Sequence, residues 1–209
     1  MIDLYTWTTP NGRKVSIMLE ELGIDYTAHP INIGEGDQKT PEFLDISPNN
    51  KIPAIIDRDN GLRLMESGAI MTYLAEKYGK FLPTDPLKKA EANQWLMWQM
   101  GGLGPMLGQT HQYAHFNSGK APFAEERFLN ETKRLYSVLE KRLDGREFIL
   151  DDYSIVDMAC WPWVSRYEWQ SIDLADYPNV RKWYQQLAAR PAVQAGYHVP
   201  KKVGEIPPG

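Results

Sequence analysis

Two short segments, residues 50–56 and 65–70, carry groups suited to holding a small anionic peptide. Pro53 lacks an N–H and restricts Ile52 to extended geometry, so the Ile52 backbone is left free to pair with a ligand just before a predicted strand. Ser67 precedes a helical pattern, where an N-cap hydroxyl and free N–H groups attract a carboxylate, and Glu66 offers a counter-charge for an ammonium. A free amino-acid end carries an ammonium and a carboxylate on the same carbon. The two segments therefore predict a site that binds a free amino-acid end.

The remaining reactive side chains are sparse. Cys160 is the single cysteine, which excludes an internal disulfide and any multi-cysteine metal site, and its apolar helical neighbours predict an inert buried thiol. His111 and His115 lie four residues apart but lack the spacing of a zinc protease, so a surface or channel role is expected rather than a metal site. Thr9 and Asn11 flank Pro10 at a helix start, so a role in a turn and a role in catalysis both remain open for them.

Composition limits the classes of partner. The 209 residues carry a formal charge of −4, and no run of lysine or arginine stands out, which argues against nucleic acid or an anionic membrane as a partner. The N-terminus enters a strand-like pattern at once, without a charged leader or a transmembrane stretch. A cytoplasmic location is therefore expected.

Strand and helix signals alternate through residues 1–80. A strand over 2–7, a helix over 10–22 and a strand over 26–33 predict a βαβ unit with a parallel strand pair. Residues 54–58 and 62–65 predict a hairpin, and the helix after Ser67 closes the domain. The intervening polar stretch contains one predicted helical turn near residues 41–44.

Strand signals stop after a proline-bearing linker, and the rest of the chain is predicted to be helical. The predicted organisation is a domain over 1–80, a linker over 81–86 and an all-helical domain over 87–209. Glycines and a proline at 101–105 are expected to break the first long helix, and the tail from Pro200 is expected to be loosely held. Predicted helices cover 90–100, 123–143, a segment opened by a capping box at Ser154–Asp157, and 178–189.

Four motifs together resemble the glutathione transferase superfamily, and most closely its nu class. They are residues 9–12 (Thr-Pro-Asn-Gly), 47–53 (Ser-Pro-Asn-Asn-Lys-Ile-Pro), 66–70 (Glu-Ser-Gly-Ala-Ile) and 101–106 (Gly-Gly-Leu-Gly-Pro-Met). The resemblance covers almost the whole chain. It implies an α/β plus all-α fold, in which an N-terminal thioredoxin-like domain precedes a C-terminal helical glutathione transferase domain.

The resemblance also implies roles for individual residues. Pro53 would be cis, with the Ile52 backbone pairing to the cysteinyl backbone of glutathione. Glu66 and Ser67 would hold the γ-glutamyl end. The glycyl carboxylate would face Gln38 and Lys51, a further anion contact would come from Arg127, and the sulfur would lie at Thr9 and Asn11.

The implied activity is glutathione-dependent disulfide-bond reduction, with some organic hydroperoxide peroxidase activity, in a homodimer that needs no metal. Thioredoxin-like enzymes place a cysteine at the first helix start, but residues 8–11 contain no sulfur, so the thiol must arrive with glutathione. Two alternatives stay open. One is a transferase that conjugates electrophiles, against which the missing Tyr or Ser at the sulfur position weighs, and the other is a non-catalytic glutathione-binding or regulatory protein.

Overall fold

A four-stranded sheet organises the first part of the chain in the computed structural model, which describes residues 1–209. The strand order is β2-β1-β3-β4; β1 pairs with β2 in parallel, and both other pairings are antiparallel. The predicted βαβ unit and hairpin are confirmed, although three strands end earlier than predicted. The strands are β1 (Ile2–Thr6), β2 (Tyr26–Pro30), β3 (Ala54–Asp57) and β4 (Leu62–Met65).

Three helices accompany the sheet: α1 (Pro10–Leu22), α2 (Pro41–Leu44) and α3 (Ser67–Tyr78). The predicted bounds of α1 are confirmed. Thr9 caps this helix by accepting a hydrogen bond from the Gly12 N–H, and Pro10 occupies the first helical position, where its missing N–H costs nothing. The α2 turn at residues 41–44 is also as predicted.

The start of α3 differs from the prediction that Ser67 is its N-cap. Glu66 occupies the cap position, without a side-chain cap hydrogen bond, and Ser67 is the first residue of the helix. The cause is the backbone of Glu66, whose φ of 70° and ψ of 111° turn the chain out of β4 one residue earlier than expected. Ser67 therefore faces the protein interior and is only 3% exposed.

The following helices are α4 (Pro86–Trp98), α5 (Gly104–Thr110), α6 (Pro122–Arg142), α7 (Ile155–Val164) and α8 (Pro178–Ala188). The predicted break at residues 101–105 is wrong, because a π-helical turn over Gln99–Leu103 joins α4 to α5. A Cβ at Gly104 would lie 2.8 Å from Gln99 Nε2 and 3.2 Å from Trp163 Nε1. The glycine thus serves close packing against α7 instead of ending the helix.

The predicted capping box opens α7. Ser154 accepts a hydrogen bond from the Val156 N–H, and the Asp157 carboxylate accepts from the Ser154 N–H at 3.0 Å. Asp157 also accepts from Trp183 Nε1 at 2.9 Å, which ties the helix start to α8. Every residue of α7 is buried, including Cys160, as predicted for an inert thiol.

A last helix, α9 (Pro191–Tyr197), was not predicted, and it packs on α1. Ser16 Oγ donates to the Gly196 carbonyl at 2.7 Å, and Arg13 Nε donates to the Tyr197 carbonyl at 3.0 Å. A Cβ at Gly196 would come within 2.6 Å of the Ile17 Cα, so only glycine allows this approach.

The α9 contacts explain how the chain divides into two compact units. The first unit contains Met1–Leu82 and Ala189–Ile206, and the second contains Pro83–Ala188 and Pro207–Gly209. Residues 189–206, which the sequence assigned to the helical domain, therefore belong to the first unit. It stays a prediction that residues 1–80 and 87–209 fold as independent domains joined by a linker over 81–86.

The extreme C-terminal residues are anchored, contrary to the expectation of a loose tail. Tyr184 Oη donates to the Pro207 carbonyl at 2.7 Å, and Gln185 Nε2 donates to the Gly209 carbonyl at 3.2 Å. The proline-rich composition of the tail gave no indication of these partners on α8. None of the helices combines the length and the apolar character that crossing a membrane requires.

Candidate functional site

A loop with a cis Ile52–Pro53 peptide bond precedes β3, as the resemblance implied. The Ser47 hydroxyl donates to the Lys51 carbonyl at 2.8 Å and so holds the loop against the end of α2. Strand pairing begins only at Ala54, so the Ile52 backbone lies outside the ladder. Pro53 is buried and Lys51 is exposed, which leaves a cation beside a backbone edge that a peptide can pair with.

Glu66 and Ser67 form a second element of the site at the start of α3. Glu66 has a positive φ of 70°, a conformation that costs about 1–3 kcal/mol in a non-glycine residue and recurs at ligand sites. Its side chain is exposed, while the Ser67 hydroxyl is turned inward and lies 3.5 Å from Lys14 Nζ. An exposed carboxylate and a helix N-terminus are thus adjacent, which suits a ligand with neighbouring ammonium and carboxylate groups.

Two amide side chains, of which Asn50 lies in the Ile52–Pro53 loop, have buried oxygens without a hydrogen-bond partner. Gln38 Nε2 donates to the Ile33 carbonyl at 3.4 Å, whereas its buried Oε1 has no hydrogen-bond partner. Asn50 Oδ1 is buried and unpartnered too, and Asn50 adopts a φ of 59°. Buried polar atoms are rarely left unpaired, and an amide oxygen can only accept, so these two oxygens need an N–H or O–H donor and a carboxylate cannot satisfy them. Asn50 stands within the motif of residues 47–53, and its position before Lys51 is the only sequence signal for a role in the site.

Thr9 and Asn11 lie at the start of α1, the place predicted for the sulfur. Thr9 Oγ1 accepts from the Gly12 N–H at 3.2 Å, and the Thr9 N–H donates to the Trp7 carbonyl at 2.7 Å. Because the Thr9 hydroxyl accepts in the cap, its own hydrogen remains able to donate to an anion. Both side chains are half-buried, and Asn11 occupies the second position of the helix.

The sheet register brings these three elements to one edge. Tyr5 pairs with Ala54, and Ala54 pairs with Met65, so the three residues stand side by side on adjacent strands. The chain leaves β1 toward Thr9, enters β3 from Pro53 and leaves β4 toward Glu66, all at this edge. Antiparallel pairing thus gathers segments that are far apart in sequence.

Arg127 belongs to the second unit, where it is exposed on α6 and lines a surface cavity of about 500 Å³. The neighbouring Arg134 guanidinium is paired with Glu131 at 2.7 and 2.8 Å. The cavity therefore presents the Arg127 cation beside an internally neutralised pair. Met106, Phe128 and Asn130 complete its lining.

The histidines of the second unit are packed among aromatic rings. His111 Nε2 lies 3.1 Å from Gln170 Nε2, and burial lowers the pKa of His111 to about 4. His115 stacks on Trp169 with ring centroids 4.6 Å apart. Across the 209 residues, no group of three or more histidine, cysteine or acidic side chains could hold a metal ion.

The comparisons with known families agree along most of the chain. Residues 8–77 match the model of the glutathione S-transferase N-terminal domain, and residues 105–191 match that of the C-terminal domain. The disulfide-bond oxidoreductase YfcG of Escherichia coli is 52% identical over 198 residues, covering 92% of each chain.

Two solved structures are similar over nearly their full length. A glutathione transferase from Pseudomonas putida, with one glutathione disulfide bound per subunit, is 45% identical with a TM-score of 0.90, covering 95% of this chain and 91% of that one. A glutathione transferase from Burkholderia graminis, with two glutathione molecules bound per subunit, is 46% identical with a TM-score of 0.90, covering 97% and 89%.

Proposed function

Because the chain belongs to the glutathione S-transferase family, we propose that it is a glutathione-dependent disulfide-bond reductase. The observation that carries the proposal is the meeting, at one sheet edge, of the cis Ile52–Pro53 loop, the positive-φ Glu66 and the start of α1. The Escherichia coli relative is named a disulfide-bond oxidoreductase, and the Pseudomonas putida protein binds glutathione disulfide. Both facts support this reaction class.

In this proposal the first unit holds glutathione through matched polar groups. The Ile52 backbone pairs with the cysteinyl backbone, since Ile52 lies outside the strand ladder. Glu66 receives the ammonium of the γ-glutamyl end, and Ser67 with the α3 N-terminus receives its carboxylate. Lys51 and Gln38 face the glycyl carboxylate.

Thr9 and Asn11 act on the glutathione sulfur. A free thiol has a pKa of about 8.5, so only ~3% is thiolate at neutral pH, and hydrogen-bond donors at a helix start lower that pKa. Full ionisation gains at most about 30-fold, equivalent to about 2 kcal/mol. The rest of the acceleration must come from positioning, which the Pro53 loop and the Glu66–Ser67 pair supply.

Both sulfur atoms that do the reduction come from glutathione. The bound thiolate attacks one sulfur of the substrate disulfide, forms a new S–S bond, and expels the other sulfur as a thiolate that takes up a proton. A second glutathione thiolate then attacks the mixed disulfide at its glutathione sulfur. The products are glutathione disulfide and two thiols, so each substrate disulfide consumes two glutathione molecules.

One purified sample tested with a small disulfide, a chlorinated nitroarene and a peroxide separates the candidate activities. We expect glutathione-dependent turnover of a small dialkyl disulfide to exceed conjugation of a chlorinated nitroarene. Faster conjugation would replace the proposal with the conjugating transferase, and glutathione binding without turnover of any substrate would favour the regulatory alternative. Failure of the protein to bind glutathione would refute all three.

Finer features of the family resemblance form part of the proposal. We propose a cytoplasmic homodimer of the nu class with additional activity toward organic hydroperoxides, and Arg127 as a further anion contact. Arg127 is supported by its exposed position in the α6 cavity. Sedimentation of the purified protein tests the dimer, a cumene hydroperoxide assay tests the peroxidase activity, and Arg127→Ala tests the contact through glutathione affinity.

A further inference from the structure

Trp7 lies between β1 and α1, beside the place proposed for the glutathione sulfur. Its carbonyl accepts a hydrogen bond from the Thr9 N–H at 2.7 Å. A Cβ at Gly12 would collide with the same carbonyl oxygen, so only glycine lets the first turn of α1 come this close to Trp7. Trp7 is half-buried, and its backbone is fixed against the start of α1.

The ammonium of Lys201 lies over the Trp7 ring, with Nζ 4.3 Å from the ring centroid. Such a cation–π contact holds a lysine side chain in place without neutralising its charge. Lys201 is exposed and makes no ion pair, whereas the neighbouring Lys202 is paired with Glu205 at 2.5 Å. The first turn of α1 contains no acidic residue. A positive charge that no carboxylate neutralises therefore lies beside Trp7.

The chain segment that carries Lys201 is anchored to α1. Ser16 Oγ donates to the Gly196 carbonyl at 2.7 Å, and a Cβ at Gly196 would come within 2.6 Å of the Ile17 Cα. The Val199 N–H also donates to the Gly196 carbonyl, at 3.3 Å, which turns the chain after α9. Lys201 follows two residues later, so the packing of α9 on α1 keeps it near Trp7.

We propose that Lys201 is a specificity-determining residue that favours disulfide substrates with a carboxylate close to the reacting sulfur. The inference rests on the proposed reaction, and it adds the class of disulfide that the site prefers. When the glutathione sulfur lies at the start of α1, the disulfide that it attacks must approach the same place. A carboxylate two methylene groups from the reacting sulfur is then attracted to the Lys201 ammonium, whereas an ammonium in that position is repelled.

The expected effect is modest, because Lys201 is exposed. Opposite charges paired at a protein surface change an equilibrium by up to about fivefold, and salt screens them. A role of Lys201 in packing or stability would instead change the rates with all disulfides by the same factor. The charge of the substrate is thus the variable that separates the two explanations.

The test compares kcat/KM of the full chain, at neutral pH and low ionic strength, for disulfides of similar size that differ in charge. They are 3,3′-dithiodipropionate, which is dianionic, bis(2-hydroxyethyl) disulfide, which is neutral, and cystamine, which is dicationic. We expect Lys201→Met to lower kcat/KM about three- to fivefold for the dianionic disulfide, to leave it unchanged for the neutral one and to raise it for cystamine. Lys201→Arg keeps the charge and can keep the contact with the ring, so it should behave as the wild type.

Lys80→Met is the matched control, because it removes the same charge from an exposed lysine of the first unit, beyond the C-terminal end of α3. It should leave kcat/KM unchanged for every disulfide. A high salt concentration should reduce the loss that Lys201→Met causes with the dianionic disulfide. Equal changes for all the disulfides, no change for the dianionic one, or the same pattern in Lys80→Met would overturn the inference. Wild-type protein that reduces none of these disulfides with glutathione would instead overturn the proposed function.

Discussion

Replacement of His111 by glutamine should remove an acid-sensitive component of stability. The His111 ring is buried between Trp163, with centroids 5.7 Å apart, and Trp169, at 5.5 Å. Burial lowers its pKa from 6.5 to about 4, and the charges of Arg166 and His115 act in the same direction. The folded state thus keeps His111 neutral at pH values where the unfolded chain protonates it.

The sign and size follow from this difference in pKa. Between pH 6.5 and about 4 the unfolded state binds more protons, so the free energy of unfolding falls as the pH falls. The loss from His111 is about 2 kcal/mol between about pH 7.5 and about pH 5, and approaches about 3 kcal/mol near pH 4. His111→Gln cannot take up this proton, while its amide can still accept a hydrogen bond from Gln170.

The assay is urea unfolding of wild type and variant at fixed protein concentration across this pH range. Other titrating groups, such as Asp157, are present in both proteins and cancel in the difference. The glutamine variant loses ring contacts at every pH, so the informative quantity is the change of the difference with pH. His111→Asn should show the same change. A difference that stays constant from pH 7.5 to 5 would refute the assignment of a buried, neutral His111.

Further variants test the proposed site. Glu66→Ala should weaken glutathione binding by about 1.5–3 kcal/mol, the usual loss for a charge-assisted pair; unchanged affinity in calorimetry would contradict the assignment. Asn11→Ala and Thr9→Ala should lower the rate of disulfide reduction about ten- to thirtyfold, more than they lower affinity, with a parallel fall in thiolate absorbance. Thr9→Ala also removes a helix cap worth about 1 kcal/mol, so its thermal transition is measured beside its rate. Cys160→Ser should keep the reductase activity, since both reacting sulfurs come from glutathione; inactivity with a normal thermal transition would refute that mechanism.

Local signals were sufficient for many elements. The proline at the start of α1, the hairpin of β3 and β4, and the Ser154–Asp157 capping box all act within a few residues, and the structure has each of them. The Ile52–Pro53 loop and the Glu66–Ser67 pair were likewise recognisable as motifs. The prediction of Ser67 as the cap was wrong, because the local preferences of glutamate do not predict the positive φ of Glu66.

What the sequence determined by itself was therefore the resemblance to the family, the order of the four strands and of most helices, and the residue types available for a ligand. The tertiary structure decided which of these meet. Strand register set Thr9, Pro53 and Glu66 at one sheet edge, and packing of α9 on α1 moved residues 189–206 into the first unit. The role of Gly104 is visible only there, because close approach depends on contacts between residues distant in the chain, which local propensities do not encode.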